Sequence, residues 1–360
     1  MSTEKQKVKV VKVVQETSDS VSIYFDGSSF PYQYESGQYL TIVADVNGEE
    51  VRRPYSLCTA QGVDTNPGVT VKRVDGGKMS NFLNDNCKEG VELELMETMG
   101  NFKYIPGQAK DPIVLIGGGS GVTPLMSILK KAFKEEPERK VYFVYANTNK
   151  GTTIFHKELA SLNQSQENFK YELYLSDDNK VEVVKPKGLR KLFVKTPKVD
   201  PNAHRLNGQR LTEILKFFNI GGQAEAYVCG PEGLMKTAEE TIHVNFNSWE
   251  LNQEKFFSTK EVDYEEAAGE GKHKVTVKLN GEAHEIEVGA VKSILFEGLD
   301  SGIDMPFSCQ SGLCTACMGK CTSGKVEMTE NSGLTDDEVA EGYILTCTGH
   351  PKSDVVIEID

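Results

Sequence analysis

The 360-residue chain is short of cysteine, of long apolar runs and of positive charge, and each shortage excludes a class of protein. Eight cysteines are too sparse for a secreted disulfide scaffold. No apolar run reaches the length of a membrane span, and the polar first residues lack a secretory signal, which predicts a cytoplasmic protein with no membrane partner. The net charge of -13 argues against nucleic acid as a partner, because phosphate binding requires clustered Lys and Arg.

The chain does contain a group of four cysteines near its end, namely Cys309, Cys314, Cys317 and Cys347. The spacing C-x4-C-x2-C, with a distant fourth cysteine, is the plant-type ligand pattern of a 2Fe-2S cluster. Gly312 allows the loop to wrap closely around such a cluster. Zinc and disulfides are the weaker alternatives, since zinc prefers paired C-x2-C modules and this region has a single one. Cys321 is interpreted as a packed structural cysteine.

The length exceeds what one hydrophobic core usually supports, and three segments differ in their pattern of apolar, turn and polar residues. Short β-rich runs alternate with turn residues over 1–108, which predicts an antiparallel β-barrel. Buried apolar strands alternate with helical patterns over 109–258, which predicts a parallel, doubly wound α/β sheet. Residues 259–271 are polar and acidic, as in a linker, and residues 272–360 form a third domain that carries the four cysteines.

A glycine-rich turn follows the first strand of the α/β segment. Gly117, Gly119 and Gly121 would let a pyrophosphate approach backbone N–H groups at a helix N-terminus. The glycines do not follow G-x-G-x-x-G strictly, so a tight turn without a ligand is the alternative. A later strand also ends in a turn, at Cys229 and Gly230, and Cys229 alone would be interpreted as a buried structural residue.

With these motifs, the chain resembles the ferredoxin-NADP reductase superfamily over essentially its whole length. Residues 53–57, RPYSL, look like the R-x-Y-S motif of that family. The resemblance implies that Tyr55 packs against the flavin ring and that Arg53 meets the FAD pyrophosphate. The other FAD-binding residues that it implies lie in the same motif and in a later glycine turn: Ser56, Leu57, Gly77, Lys78, Met79 and Ser80.

The same resemblance implies a nicotinamide site. Thr123 and Cys229 would flank the nicotinamide as catalytic residues, with Cys229 beside the carbon that transfers hydride and Gly230 in the same turn. Residues 254–256 resemble the closing E-x-F segment of the family, which places Phe256 near the flavin edge, although a second phenylalanine at 257 leaves the register open.

The expected coenzyme is NADPH, with NADH as the alternative. No Asp or Glu follows the second strand of the nucleotide segment, where a carboxylate would bind the ribose of NAD. Lys150 with the neighbouring threonine hydroxyls could hold a 2'-phosphate instead, which Arg205 or Arg210 could reach from a later loop. The alternative for Lys150 is a solvated surface lysine.

The order of an FAD module, a nicotinamide module and a C-terminal plant-type ferredoxin of β-grasp fold resembles the reductases of bacterial multicomponent oxygenases, in particular the branch that serves phenylacetyl-CoA epoxidase. This implies an oxidoreductase that passes electrons from NADPH through FAD and 2Fe-2S to an oxygenase component. The alternatives are a reductase for another oxygenase or for a ferric, quinone or haem-protein acceptor, and a non-enzymatic redox carrier or sensor.

Overall fold

The structure is a computed structural model that describes residues 5–107, 111–177, 204–256, 271–289, 292–307, 310, 312, 314–331 and 333–359. The described chain forms three units in the predicted order, which are an antiparallel barrel, a parallel α/β sheet and a smaller mixed sheet with the cysteines. The predicted fold class is therefore confirmed. The linker predicted at 259–271 lies outside the described residues except for Gly271.

The first unit is a six-stranded antiparallel sheet in the order β4-β3-β6-β1-β2-β5. A β-bridge between Leu57 and Val69 joins its two edges and closes the barrel. Helix α1 covers one end and buries Met79 and Leu83. The elements are β1 (Gln6–Thr17), β2 (Ser20–Phe25), β3 (Tyr39–Val46), β4 (Glu49–Ser56), β5 (Gly68–Lys72), α1 (Lys78–Asn86) and β6 (Glu92–Met99).

The second unit is a five-stranded parallel sheet in the order β11-β10-β7-β8-β9. Alternate residues of β7 enter two different cores, Ile113 and Leu115 on one face and Val114 and Ile116 on the other, so helices cover both faces. The elements are β7 (Ile113–Gly118), α2 (Val122–Glu135), β8 (Val141–Asn147), α3 (His156–Ser165), β9 (Phe169–Leu175), α4 (Gly208–Phe217), β10 (Glu225–Gly230), α5 (Glu232–Asn245) and β11 (Glu250–Lys255).

The third unit is a mixed sheet in the order β13-β12-β18-β14-β16, with a small ladder between β15 and β17. Cys317 and Cys347 belong to its apolar core, so the cysteine loop is tied directly to the packing of the domain. The elements are β12 (His273–Leu279), β13 (Glu282–Val288), α6 (Ile294–Asp300), β14 (Met318–Ser323), β15 (Val326–Met328), α7 (Asp336–Ala340), β16 (Tyr343–Leu345), β17 (Gly349–Pro351) and β18 (Val355–Ile359).

The apolar residues before Cys347 predict a strand that includes the cysteine, but strand β16 ends at Leu345 and the cysteine lies in the following turn. Thr346 sets that turn by donating from its backbone N and its Oγ1 to the carbonyl oxygen of Cys317, at 3.1 and 3.0 Å. The apolar run thus predicts a strand correctly but misses its end, which a contact with a residue 29 positions earlier determines.

Candidate functional site

The R-x-Y-S residues lie at the end of β4, next to strand β3. Tyr55 pairs with Leu40 and packs partly buried against the barrel core, and its burial raises the pKa of the phenol. Arg53 donates from Nη1 to the carbonyl oxygen of Arg52 at 2.7 Å and is partly exposed. Leu57 is fully buried. This edge offers an aromatic ring and a cation side by side, which suits a flat ring system that carries a phosphate.

The second candidate FAD element is the turn into α1. Ser80 accepts a hydrogen bond at Oγ from the backbone N of Val74 at 3.1 Å, which folds the turn back on the helix start. A Cβ at Gly77 would lie 2.5 Å from that Oγ, so a larger residue would displace the serine hydroxyl from its hydrogen bond. Lys78 forms an ion pair with Glu49 at 2.8 Å, and Met79 points into the barrel core.

The glycine turn after β7 packs tightly against the turn after β10. A Cβ on Gly121 would lie 2.2 Å from the carbonyl oxygen of Cys229, and one on Gly230 would lie 2.9 Å from the backbone N of Gly118. Gly119 has a φ of +55 and open space beside it, and its carbonyl oxygen accepts a hydrogen bond from Tyr145 at 2.8 Å. Two strand ends therefore meet at one carboxyl edge, where α/β sheets bind nucleotides.

Thr123 and Phe256 lie near this edge, Thr123 at the start of α2 and Phe256 just after β11. Thr123 is buried in the first turn of α2 and donates from Oγ1 to the carbonyl oxygen of Ser120 at 3.0 Å. Phe256 is partly buried against the same core that contains Cys229 and Phe102. Gly117 is enclosed by Leu125 and by aromatic rings of β8.

Glu254 joins the two units at the candidate site. Strand register places it beside Cys229, and Ser56 donates from Oγ to its Oε2 at 3.2 Å. Burial raises the pKa of Glu254 to about 8, partly opposed by the Ser56 hydrogen bond. Cys229 is fully buried, and burial followed by the nearby Glu254 charge raises the pKa of its thiol. At neutral pH the site thus favours an uncharged carboxyl and an uncharged thiol.

The cysteine loop brings three of the four predicted ligands into the interior. Cys314, Cys317 and Cys347 are 4%, 1% and 2% exposed, and Cys309 lies outside the described residues. The backbone N of Gly312 donates to Sγ of Cys347 at 3.3 Å, with Gly312 at a φ of +75. Buried thiolates need such amide donors, so the donor set and its surroundings fit a 2Fe-2S cluster. Cys321 lies in β14, half-buried, with its Sγ toward the carbonyl of Ser323.

The cysteine loop packs directly on the barrel. Tyr39 and Met99 form an apolar contact with Cys314 and Ala316. Nearby, the guanidinium of Arg52 lies 4.1 Å from the ring centroid of Phe307, two residues before Cys309.

Tyr39 also pairs with Ser56 across β3 and β4. Through Tyr39, the R-x-Y-S motif is therefore connected to Cys314, a predicted cluster ligand. The sequence marks Glu254 only through the E-x-F segment, and no local pattern marks Tyr39 or Arg52 as site residues.

Family models match all three units. An oxidoreductase FAD-binding domain matches residues 7–104, an oxidoreductase NAD-binding domain matches 115–240, and a 2Fe-2S iron-sulfur cluster binding domain matches 277–352. The chain is therefore an oxidoreductase with FAD, nicotinamide-nucleotide and 2Fe-2S domains. None of the helices in the described part of the chain has the length and apolar content that a membrane crossing requires.

Relatives of similar length align over nearly the whole chain. The E component of 1,2-phenylacetyl-CoA epoxidase from Escherichia coli strain K12 is 32% identical, with 98% of this chain and 96% of that protein aligned. The ferredoxin reductase component of 3-ketosteroid-9-alpha-monooxygenase from Rhodococcus rhodochrous is 33% identical, with 96% and 94% aligned. The structure of phthalate dioxygenase reductase matches at a TM-score of 0.59 and 26% identity, over 99% of this chain and 98% of that one.

Proposed function

Because this chain belongs to the family of oxygenase reductases that join an FAD-binding, an NAD-binding and a 2Fe-2S domain, we propose that it passes electrons from a reduced nicotinamide nucleotide through FAD and 2Fe-2S to an oxygenase component of the phenylacetyl-CoA epoxidase type. The similarity to the epoxidase component supports the choice of acceptor. The contact of Tyr39 with Cys314 carries the rest of the proposal, since it joins the flavin edge to the cluster loop.

The two prosthetic groups supply complementary chemistry when bound, since FAD exchanges two electrons with nicotinamide and a 2Fe-2S cluster exchanges one at a time. The residues of the chain bind and orient these groups. Arg53 and the turn at Gly77–Ser80 would hold the FAD pyrophosphate, and Tyr55 would pack on the flavin ring. Cys309, Cys314, Cys317 and Cys347 would hold the cluster.

The nucleotide would bind across the edge formed by Gly117, Gly119, Gly121 and Gly230. Thr123 and Cys229 would then flank its nicotinamide. The buried, uncharged state of Cys229 suits contact with an apolar ring face, because an ionised thiolate there would be poorly solvated. Phe256 would cover the flavin edge, and Glu254 with Ser56 would form the polar border of the site.

Anaerobic stopped-flow reduction tests the proposal. Mixing the purified protein with reduced nicotinamide nucleotide should bleach the flavin first and the cluster second. Cys314→Ser should abolish cytochrome c reduction and spare flavin reduction, and Cys321→Ser, a matched change outside the ligand pattern, should leave both unchanged. A cluster that stays oxidised in the unmodified protein would contradict the relay.

The acceptor is tested separately. Purified phenylacetyl-CoA epoxidase oxygenase component should make nucleotide oxidation dependent on its substrate, at a rate above that with unrelated oxygenase components. Equal rates with every oxygenase component would support a general reductase. If the Cys314→Ser variant still reduces ferric, quinone or haem acceptors, those acceptors take their electrons from the flavin and not from the cluster.

A further inference from the structure

We propose that Ser127 is a positioning residue for flavin reduction, because it fastens the helix that begins at the nucleotide turn to the barrel segment that follows the R-x-Y-S motif. The inference rests on the proposed function, since it names the contact that sets the distance between the nicotinamide and the flavin. Ser127 acts through the placement of α2 and not by contact with the reacting atoms.

The contact joins two fully buried residues of different units. Ser127, in the second turn of α2, donates from Oγ to the backbone carbonyl oxygen of Thr59 at 2.6 Å. Both residues are 0% exposed. Any placement of the helix that breaks this bond leaves a buried hydroxyl and a buried carbonyl without a partner, which is unfavourable. The bond therefore favours a single docking geometry of the two units.

The barrel holds the acceptor side of this contact in place. Oγ1 of Thr59 accepts a hydrogen bond from the backbone N of Gly68 at 2.9 Å and lies 2.9 Å from the hydroxyl oxygen of Tyr34. Two positions earlier, Leu57 belongs to the β-bridge that closes the barrel. The Thr59 carbonyl thus has a defined position three residues after Ser56, the serine of the R-x-Y-S motif.

The donor side of the contact leads to the nucleotide turn. Thr123 and Ser127 are four residues apart, so their side chains lie on the same face of α2. Thr123 in turn donates from Oγ1 to the carbonyl oxygen of Ser120, inside the glycine turn, at 3.0 Å. A shift or rotation of α2 at Ser127 would therefore move Thr123 and the glycine turn relative to the barrel.

Two lysines of the same helix extend the contact toward its rim. Lys131 donates from Nζ to the carbonyl oxygen of Gln61 at 3.2 Å, and Lys130 forms an ion pair with Asp64 at 3.2 Å. Both lysine side chains are 19% exposed, so water and salt reach these contacts. The Ser127 bond is the innermost of the three, and we expect it to contribute most to the placement of the helix.

Flavin reduction is the step that depends on this placement. The C–H bond of the reduced nicotinamide breaks, and the hydrogen passes with both electrons to the flavin, so the nucleotide is oxidised as the flavin is reduced. Such a transfer requires the reacting atoms to approach within about 3–3.5 Å. The nicotinamide would bind on the α/β unit and the flavin on the barrel, so the docking of the two units sets that distance.

Single-turnover kinetics of the holoenzyme test the inference. With saturating reduced nucleotide, Ser127→Ala should reduce its flavin about 10- to 100-fold more slowly than the unmodified protein, because a small misplacement of the reacting atoms has a large effect on rate. The kinetic isotope effect with nucleotide deuterated at the transferred position should be at least as large as in the unmodified protein, since the transfer step becomes slower.

Ser22→Ala is the matched control. Ser22 is also a 0% exposed serine, and its hydroxyl oxygen lies 2.8 Å from that of Thr70, but both residues belong to the barrel. This variant should lose thermal stability to a similar extent as Ser127→Ala, whereas its rate of flavin reduction should stay nearly unchanged.

Two equilibrium measurements separate placement from binding. In titration calorimetry, Ser127→Ala should bind ADP-ribose, which lacks the nicotinamide ring, as tightly as the unmodified protein does. The long-wavelength charge-transfer absorbance of the reduced protein mixed with oxidised nucleotide should be weaker in the variant, because this absorbance requires contact between the nicotinamide and flavin rings.

Lys131→Met keeps the inference testable if Ser127→Ala does not fold. It removes the donor to the Gln61 carbonyl and should slow flavin reduction several-fold. Lys134→Met removes an exposed charge from the same helix and should have no such effect.

Three results would overturn the inference and leave the proposed function intact. The first is an unchanged rate of flavin reduction in folded Ser127→Ala with normal FAD content, or in Lys131→Met where only that variant folds. The second is equal slowing by Ser22→Ala, which would attribute the effect to a general loss of stability. The third is weaker ADP-ribose binding by Ser127→Ala with a normal rate at saturation. Failure of both NADH and NADPH to reduce the flavin of the unmodified protein would instead overturn the proposed function itself.

Discussion

Ser56 and Glu254, which are 198 residues apart in sequence, meet across the junction of the barrel and the α/β sheet through a hydrogen bond of 3.2 Å. The serine belongs to the R-x-Y-S motif and the glutamate to the last strand of the nucleotide unit. The bond therefore ties the end of β4 to the end of β11, and it links the ionisation of a partly buried carboxyl to the packing of two domains.

The raised pKa of Glu254 predicts a pH-dependent contribution to stability. The carboxyl has a pKa of about 8 in the folded protein and an ordinary value of 4.5. The contribution of this carboxyl to the free energy of unfolding is fully present below pH 4.5 and is lost as the pH rises through 8. The reason is that the carboxyl ionises at a lower pH in the unfolded chain than in the folded protein. The stability of Glu254→Gln relative to the unmodified protein should therefore rise across this window.

Thermal unfolding of both proteins between pH 4.5 and 8.5 measures this difference. Ser56→Ala removes the hydrogen bond that lowers the pKa and should move the midpoint of the effect to higher pH. A constant difference between Glu254→Gln and the unmodified protein across the range would show that the carboxyl titrates normally.

The close approach of Gly121 to Cys229 predicts a localised defect. In Gly121→Ala the new Cβ would lie 2.2 Å from the backbone carbonyl oxygen of Cys229, so the two turns must separate. We expect a loss of stability of about 1–3 kcal/mol and a large loss of nucleotide-driven flavin reduction. The FAD content should stay normal, since the FAD-binding domain spans residues 7–104 and Gly121 lies outside it.

Gly221→Ala is the matched control, because a Cβ at Gly221 meets no atom within 4 Å and its turn precedes β10. Both variants are compared by absorbance of bound FAD and by stopped-flow reduction. Normal reduction of Gly121→Ala would show that this turn does not bind the nucleotide.

The sequence is sufficient for elements whose signals are local. The strand-helix alternation of residues 113–244 and the turn glycines predict the parallel sheet and its carboxyl edge, since each signal falls within one short segment. The cysteine spacing likewise predicts a loop with buried ligands, and the structure buries three of them.

Contacts between distant segments could not be predicted in this way. The third strand brings Asp177 beside Asn149, and β11 brings Glu254 beside Ser56. Each pairing depends on strand order and on the docking of one unit on another. The sequence pattern does not mark β4 as a strand because its run, EEVRRPYS, is charged and contains a proline, features that suit the edge of a sheet.

A buried ionic group at the amino ends of strands β8 and β10 predicts that Arg139 contributes strongly to stability. Its side chain is 4% exposed and forms ion pairs of 2.9 Å with both Glu136 and Glu225. Its Nη1 also donates to the Tyr104 hydroxyl at 3.1 Å. Arg139→Met leaves two carboxylates without their cation and should destabilise the protein by about 3–5 kcal/mol.

Urea unfolding followed by fluorescence measures this loss. The double variant Arg139→Met with Glu225→Gln should recover part of the stability, because one of the uncompensated charges is gone. A double variant that is less stable than Arg139→Met would contradict a charge-based explanation and favour one based on packing.

The contact of Arg52 with Phe307 predicts which step depends on docking of the cluster domain. A guanidinium 4.1 Å from a ring centroid contributes about 0.5–1 kcal/mol at a partly exposed site. Arg52→Ala should therefore lower cytochrome c reduction about two- to fivefold through a smaller docked population, whereas ferricyanide reduction by the flavin should not change. Phe307→Leu should have a similar effect, because it removes the ring and keeps an apolar side chain.

The double variant separates this contact from independent effects. Each single change already removes the same interaction. The double variant Arg52→Ala with Phe307→Leu should therefore reduce cytochrome c at about the rate of the slower of the two single variants. Arg52 also pairs with Glu50 at 2.7 Å, so Glu50→Gln serves as the control and should leave the cluster step nearly unchanged. Multiplicative losses in the double variant would show that the two residues act separately, and docking would then depend on the contact of Tyr39 and Met99 with Cys314 and Ala316.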